Sequence, residues 1–149
     1  MRRLIVLGCV ALALACSKGD EAPAADTMAV APAPMLNLAD LAGTWDMKTM
    51  REGSDSVLVS YTLTATGTTE GWTINFPDRQ PIPMRVTVSG DSLMMEAGPY
   101  ESVLRRGVQV STSTVSRLEG GKLMGRATAR YSAGPDSVVS LRTEGTKRP

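Results

Sequence analysis

The stretch Val57-Leu58-Val59-Ser60-Tyr61-Thr62-Leu63-Thr64-Ala65-Thr66 constrains this chain more than any other. Val57, Val59, Tyr61, Leu63 and Ala65 share one parity, while Ser60, Thr62, Thr64 and Thr66 share the other. Successive side chains of a strand point to opposite faces, so the pattern is a strand with one buried and one wet side. The rhythm recurs downstream. Trp72, Ile74 and Phe76 fall inward in the next run. Met84, Val86 and Val88 follow, with Arg85, Thr87 and Ser89 outward. Later, Leu123, Gly125, Ala127, Ala129 and Tyr131 alternate with Met124, Arg126, Thr128 and Arg130.

Turn clusters separate these runs, among them Arg51-Glu52-Gly53-Ser54-Asp55, Gly90-Asp91 and Glu119-Gly120-Gly121-Lys122. Glycine supplies positive φ, while proline and aspartate pre-set turns. Short alternating runs between such turns predict an antiparallel all-β domain. Eight strands are expected, near 44–51, 57–66, 71–77, 83–89, 92–97, 107–118, 122–132 and 137–144. Gly98-Pro99-Tyr100-Glu101-Ser102-Val103-Leu104-Arg105-Arg106 breaks the rhythm and reads as a loop or a single helical turn. One-sided strands in sequence order lose their exposed edges by closing, so the expected fold is an eight-stranded antiparallel up-and-down barrel. A two-sheet β-sandwich is the alternative. A barrel of this size either fills with side chains or holds one small ligand.

Ahead of the first strand, Leu38-Ala39-Asp40-Leu41-Ala42 leads into Gly43-Thr44-Trp45. A short turn followed by Gly-x-Trp, with eight strands after it, resembles the start of lipocalin-like (calycin) barrels. The resemblance covers residues 38–146, with strands shorter than is typical of that family. It implies that Gly43 and Trp45 close the barrel base and that an Arg near the last strand packs over the Trp. Arg142, in Leu141-Arg142-Thr143-Glu144, stands at the matching end of the chain.

The N-terminus reads as an address. Met1-Arg2-Arg3 is basic, and Leu4 to Ala15 is an unbroken apolar run. That run is too short to span a bilayer, which takes about 20 residues. A basic start, a short apolar run and a small residue at the cut describe a secretory signal peptide over 1–15. Leu12-Ala13-Leu14-Ala15-Cys16 resembles the lipobox of bacterial lipoproteins, with Ala and Leu departing from the commonest order. The resemblance implies cleavage before Cys16, a diacylglyceryl thioether on its sulfur and, usually, a further acyl chain. Two or more chains make a stable anchor, each buried methylene contributing about 0.8 kcal/mol. Residues 16–36 read as a flexible Ala/Pro-rich linker, and 37–149 as the barrel domain. The linker has few large apolar groups to offset its ordering entropy. As a coil its ends stand roughly 25 Å apart. Ser17 after the lipidated Cys implies, by the sorting pattern of that class, an outer-membrane address in a bacterial envelope.

The remaining chemistry is sparse. The chain has no His, which excludes a His-based triad and the usual zinc or haem ligands. Loss of Cys9 with the leader leaves Cys16 alone, so no internal disulfide forms. Losing Arg2 and Arg3 turns the formal charge from +1 to about −1, and no dense Lys/Arg face suits nucleic acid. No Gly-x-Ser-x-Gly elbow or phosphate-binding glycine loop is present. Glu96 and Glu101 read as solvated acids rather than a glycosidase pair. Met47 with Met50, and Met94 with Met95, fall on opposite strand faces, which disfavours a thioether copper site. Arg105 and Arg106, near Tyr100, read as loop charges, the alternative being contact with a lipid headgroup or anionic partner. The chain is therefore not expected to be an enzyme or to carry a metal or cofactor. Two roles stay open. One is a membrane-anchored binding barrel for a small hydrophobic ligand, with Tyr61, Trp72, Phe76, Met84 and Tyr131 as lining candidates. The other is a structural or interaction protein with a filled core. Large inward residues such as Trp45 and Trp72 favour filling, while Ala65, Ala97, Gly125, Ala127 and Ala129 leave space.

Overall fold

A computed structural model describes residues 35–149. The expected signal segment, Cys16 and nearly all of the linker lie outside the described residues. A short helix α1 (Leu38–Leu41) precedes eight strands: β1 (Gly43–Arg51), β2 (Val57–Ala65), β3 (Thr73–Asn75), β4 (Ile82–Ser89), β5 (Ser92–Glu101), β6 (Gln109–Glu119), β7 (Lys122–Tyr131) and β8 (Val138–Lys147). Each pairs antiparallel with the next, and β1 pairs with β8, giving a closed up-and-down barrel. This closure excludes the sandwich. It also pairs every strand on both sides, which removes free edges.

The alternation holds around the barrel. Inward Leu63, Ile74, Val86, Leu93 and Leu123 are buried. Outward Asp46, Lys48, Arg85, Glu96, Arg126 and Arg130 are exposed. A barrel that spans a bilayer carries the reverse pattern, with an apolar outer band.

Two strands differ from expectation. β3 is only Thr73–Asn75, although Trp72 and Phe76 on either side still turn inward and are buried. Thr66 shortens it from below. Its hydroxyl donates to Glu70 O at 2.5 Å and holds the segment before the strand in bends as far as Gly71, so the ladder begins only at Thr73. β5, expected to end at Ala97, runs on to Glu101. Ala97 pairs with Thr112 but Tyr100 with Val110, so one extra residue bulges out and the ladder resumes. Gly98 makes this possible. Its φ is +110°, and a Cβ there would stand 2.6 Å from Val110 O. The loop inferred over 98–106 is therefore confined to the residues after Glu101.

The barrel seam corrects the expected Trp–Arg pairing. Trp45 is 1% exposed, and its indole N–H donates to Leu41 O at 2.8 Å. Opposite Trp45 on β8 stands Lys147, whose Nζ lies 5.8 Å from the indole centroid and donates to Asp40 O at 2.9 Å. Arg142 pairs with Met50 at the far end of β1. It faces outward, giving Nη2 to Asp55 at 2.6 Å and to Met50 Sδ at 3.4 Å. The antiparallel register fixes this outcome, because residues near the end of β8 meet those near the start of β1. Gly43 does sit at the seam. Its φ is +133°, and a Cβ there would meet Lys147 Cε at 3.0 Å.

Candidate ligand cavity at the open end of the barrel

The two ends of the barrel are built differently. At the end where β1 starts and β8 finishes, Leu41, Trp45, Trp72, Leu63, Leu93 and Leu123 belong to one continuous buried cluster. Both indole N–H groups are satisfied there, Trp72 donating to Thr68 O at 2.7 Å. Asn37 caps α1 by accepting from the Ala39 N–H at 3.1 Å, and Leu41, at its end, is completely buried. At the opposite end the apolar residues divide. Ile74, Phe76 and Ala97 form one cluster, and Val110, Ala127, Ala129 and Leu141 another. Tyr100 packs against both.

Between them lies a cavity of about 60 Å³. Four of the five lining candidates from the sequence surround it: Tyr61, Phe76, Met84 and Tyr131. The fifth, Trp72, does not. It lies in the filled end at 1% exposure, just before β3 begins, where its indole N–H reaches back to Thr68 O and the ring joins the cluster that holds Leu41 and Trp45. Tyr61 and Phe76 pack at 5.5 Å between ring centroids, and Phe76 and Tyr100 at 6.1 Å. Opposite these rings, Ala127 and Ala129 leave the space that larger side chains would fill.

Hydroxyls also line the cavity, namely those of Thr49, Thr112, Thr114 and Thr143. Burial pushes the Tyr61 phenol up to about 12, partly offset by a hydrogen bond with Thr49. Burial likewise raises Tyr100, against a hydrogen bond with Thr112. Both phenols are therefore neutral donors near neutral pH. The lining carries no charged side chain among the described residues.

The 102–108 segment covers the opening. Val103 and Leu104 line the cavity while remaining 39% and 46% exposed. Ser102 holds the segment, its Oγ accepting from the Leu104 and Arg105 N–H groups at 3.1 Å each. Arg105 fastens it to the 132–137 turn, donating to Pro135 O at 2.7 Å and Asp136 O at 3.2 Å. Its guanidinium carbon stands 3.9 Å from the Tyr131 ring centroid, so its aromatic neighbour is Tyr131 rather than Tyr100. Arg79 donates to Glu101 O at 2.5 Å.

The inward hydroxyls are what sequence reasoning missed. On β6, Ser111, Ser113, Thr112 and Thr114 put polar groups on both parities, so polarity alone does not mark the inner face. The usable signal was register. Counting back from the Glu119-Gly120-Gly121-Lys122 turn pairs Thr114 with Ala127 and Thr112 with Ala129, on the face of an already inward run. No family model, curated protein or solved structure matches the chain.

Proposed function

We propose that this chain is a lipid-anchored lipoprotein of a bacterial envelope, outer membrane by its sorting residues, whose lipocalin-like barrel binds a small hydrophobic ligand. The observation that carries the binding role is the contrast between a filled end and an end whose apolar residues part around a cavity covered by the half-exposed Val103 and Leu104. At about 60 Å³ the cavity is small. Ligand pockets commonly reach about 300–1,000 Å³. Binding therefore uses displacement of Val103 and Leu104 and rotamer changes in Met84 and Met95, whose unbranched side chains repack at low cost. The anchoring role rests on the lipobox-like Leu12–Cys16 segment.

The test of binding is uptake of N-phenyl-1-naphthylamine, which brightens in apolar surroundings, by the full chain carrying Cys16→Ser, with native mass spectrometry of the same preparation for a co-purified molecule. Saturable uptake supports the cavity. Its absence, together with no bound mass, returns the barrel to the filled, structural role. The anchor is tested separately. Cys16→Ser is expected to move the protein from membranes to the soluble fraction, and a variant that still pellets after a high-salt wash sinks the anchor.

A further inference from the structure

The hydroxyls around the cavity are not equivalent. Ser102 is engaged with the amides of its own loop, and Thr49 and Thr112 lie beside the Tyr61 and Tyr100 phenols. Of all the lining hydroxyls, Thr114 included, only that of Thr143 is both sealed from solvent and without a hydrogen-bond partner among the described residues. Thr143 is different. It is 1% exposed, it lines the cavity, and its Oγ1 has no hydrogen-bond partner among the described residues. Its strand neighbours explain why. On one side the paired residue is Gly125, which offers no side chain, and on the other it is Thr49, with whose hydroxyl Thr143 makes no hydrogen bond. Ser116, beyond Gly125, is a second buried hydroxyl without a partner, but it does not line the cavity. A buried polar atom left unpaired costs about 1–3 kcal/mol, and native structures keep few of them.

We propose that Thr143 is the receptor for the one polar group of an uncharged amphiphile, a long-chain alcohol or its ester or ketone counterpart, which enters head first and leaves its alkyl chain toward Val103 and Leu104. The inference rests on the binding function proposed above and adds the ligand's class and direction. A hydroxyl or carbonyl satisfies Thr143, which donates and accepts. A carboxylate does not belong there, since no cation lines the cavity and a buried, unpaired anion costs far more than a neutral polar group. Arg79, Arg105 and Arg106 do not line the cavity, so an acid group taken to Thr143 would leave them behind.

The experiment is displacement of N-phenyl-1-naphthylamine by decan-1-ol and by decanoate near pH 8, using the full chain carrying Cys16→Ser. Decan-1-ol is expected to compete at about tenfold lower concentration than decanoate, the size of one well-made hydrogen bond. Thr143→Val, close in shape but without the hydroxyl, should shrink that preference to about threefold or less, read as the ratio of the two competing concentrations within the variant, with its far-ultraviolet circular dichroism spectrum reporting an intact barrel. Thr143→Ser should restore the preference. Decanoate competing as well as the alcohol, or a preference unchanged in Thr143→Val, overturns the assignment and leaves the binding function standing. No dye uptake by the Cys16→Ser chain with Thr143 intact overturns both.

Discussion

The barrel holds the same number of strands at its two ends, yet one is solid and the other hollow. At the closed end, two indoles and several leucines meet across the axis, and each indole N–H finds a carbonyl. At the open end, the residues at matching depth are alanines and threonines on β6 and β7, facing tyrosines and Phe76 on the other wall. Closure of the backbone does not decide whether a small barrel holds anything. The volume of its inward side chains does.

That contrast breaks first at Trp45. Trp45→Ala is expected to cost about 3–5 kcal/mol, because it opens a hole in the closed end that its neighbours cannot fill. Leu104→Ala, on the cover of the open end, should cost less than about 1 kcal/mol, since nearly half of it already faces water. Urea midpoints for the two variants measure the difference. Comparable losses would mean that the ends are equally packed.

Alkaline titration sharpens the comparison from the other side. Tyr61 keeps its proton to about 12 in the folded barrel, whereas an unfolded tyrosine loses it near 10. Between those values the unfolded chain binds fewer protons than the folded one. Stability is therefore full below about pH 10 and falls above it, by at most about 1.4 kcal/mol per pH unit for this group. Tyr61→Phe should flatten the fall without abolishing it, because Tyr100 is shifted in the same direction. Denaturation series at about pH 9 and about pH 11 compare the slopes, and identical slopes would place the Tyr61 hydroxyl in water.

The smallest effect is expected at Arg142. Its partner Asp55 is exposed, so Arg142→Ala should cost no more than about 1 kcal/mol. Combined with Trp45→Ala it should add, because the two residues lie at opposite ends of β1 and share no contact. A coupling beyond about 0.5 kcal/mol in the double-mutant cycle would contradict that separation.

The inside of β2, β4 and β7 was legible because apolar and polar residues alternate there, with Leu58 and Met124 as the apolar residues on the outer face. The turns were legible because glycine, proline and aspartate mark them. The Gly98-Pro99 bulge was not, since both residues ordinarily end a strand, and only the resumed pairing of Tyr100 with Val110 shows that the ladder continues. Trp72 and Phe76 share a parity and sit on the same short strand run, yet one fills the closed end and the other borders the cavity. Alternation reports the face a side chain occupies and says nothing of its height along the barrel axis. Arg142 was misplaced for a related reason. Its position near the chain's end was readable, but which cation meets Trp45 depends on a register of single residues, and that register gives the place to Lys147.

An even number of up-and-down strands brings both ends of the domain to one pole. Leu36 N donates to Gly90 O at 3.0 Å, and Arg148 N donates to Thr44 O at 2.8 Å, with the Arg148 guanidinium on Asp46. Both ends therefore leave from the solid pole, opposite the opening. A short bridge joining them allows circular permutation, with new termini cut at the exposed turn around Gly53 or Gly134, where the ladder hydrogen bonds are untouched. The same geometry lets a fused reporter or a surface linkage be attached at either natural end while the cavity remains accessible from the bulk solution.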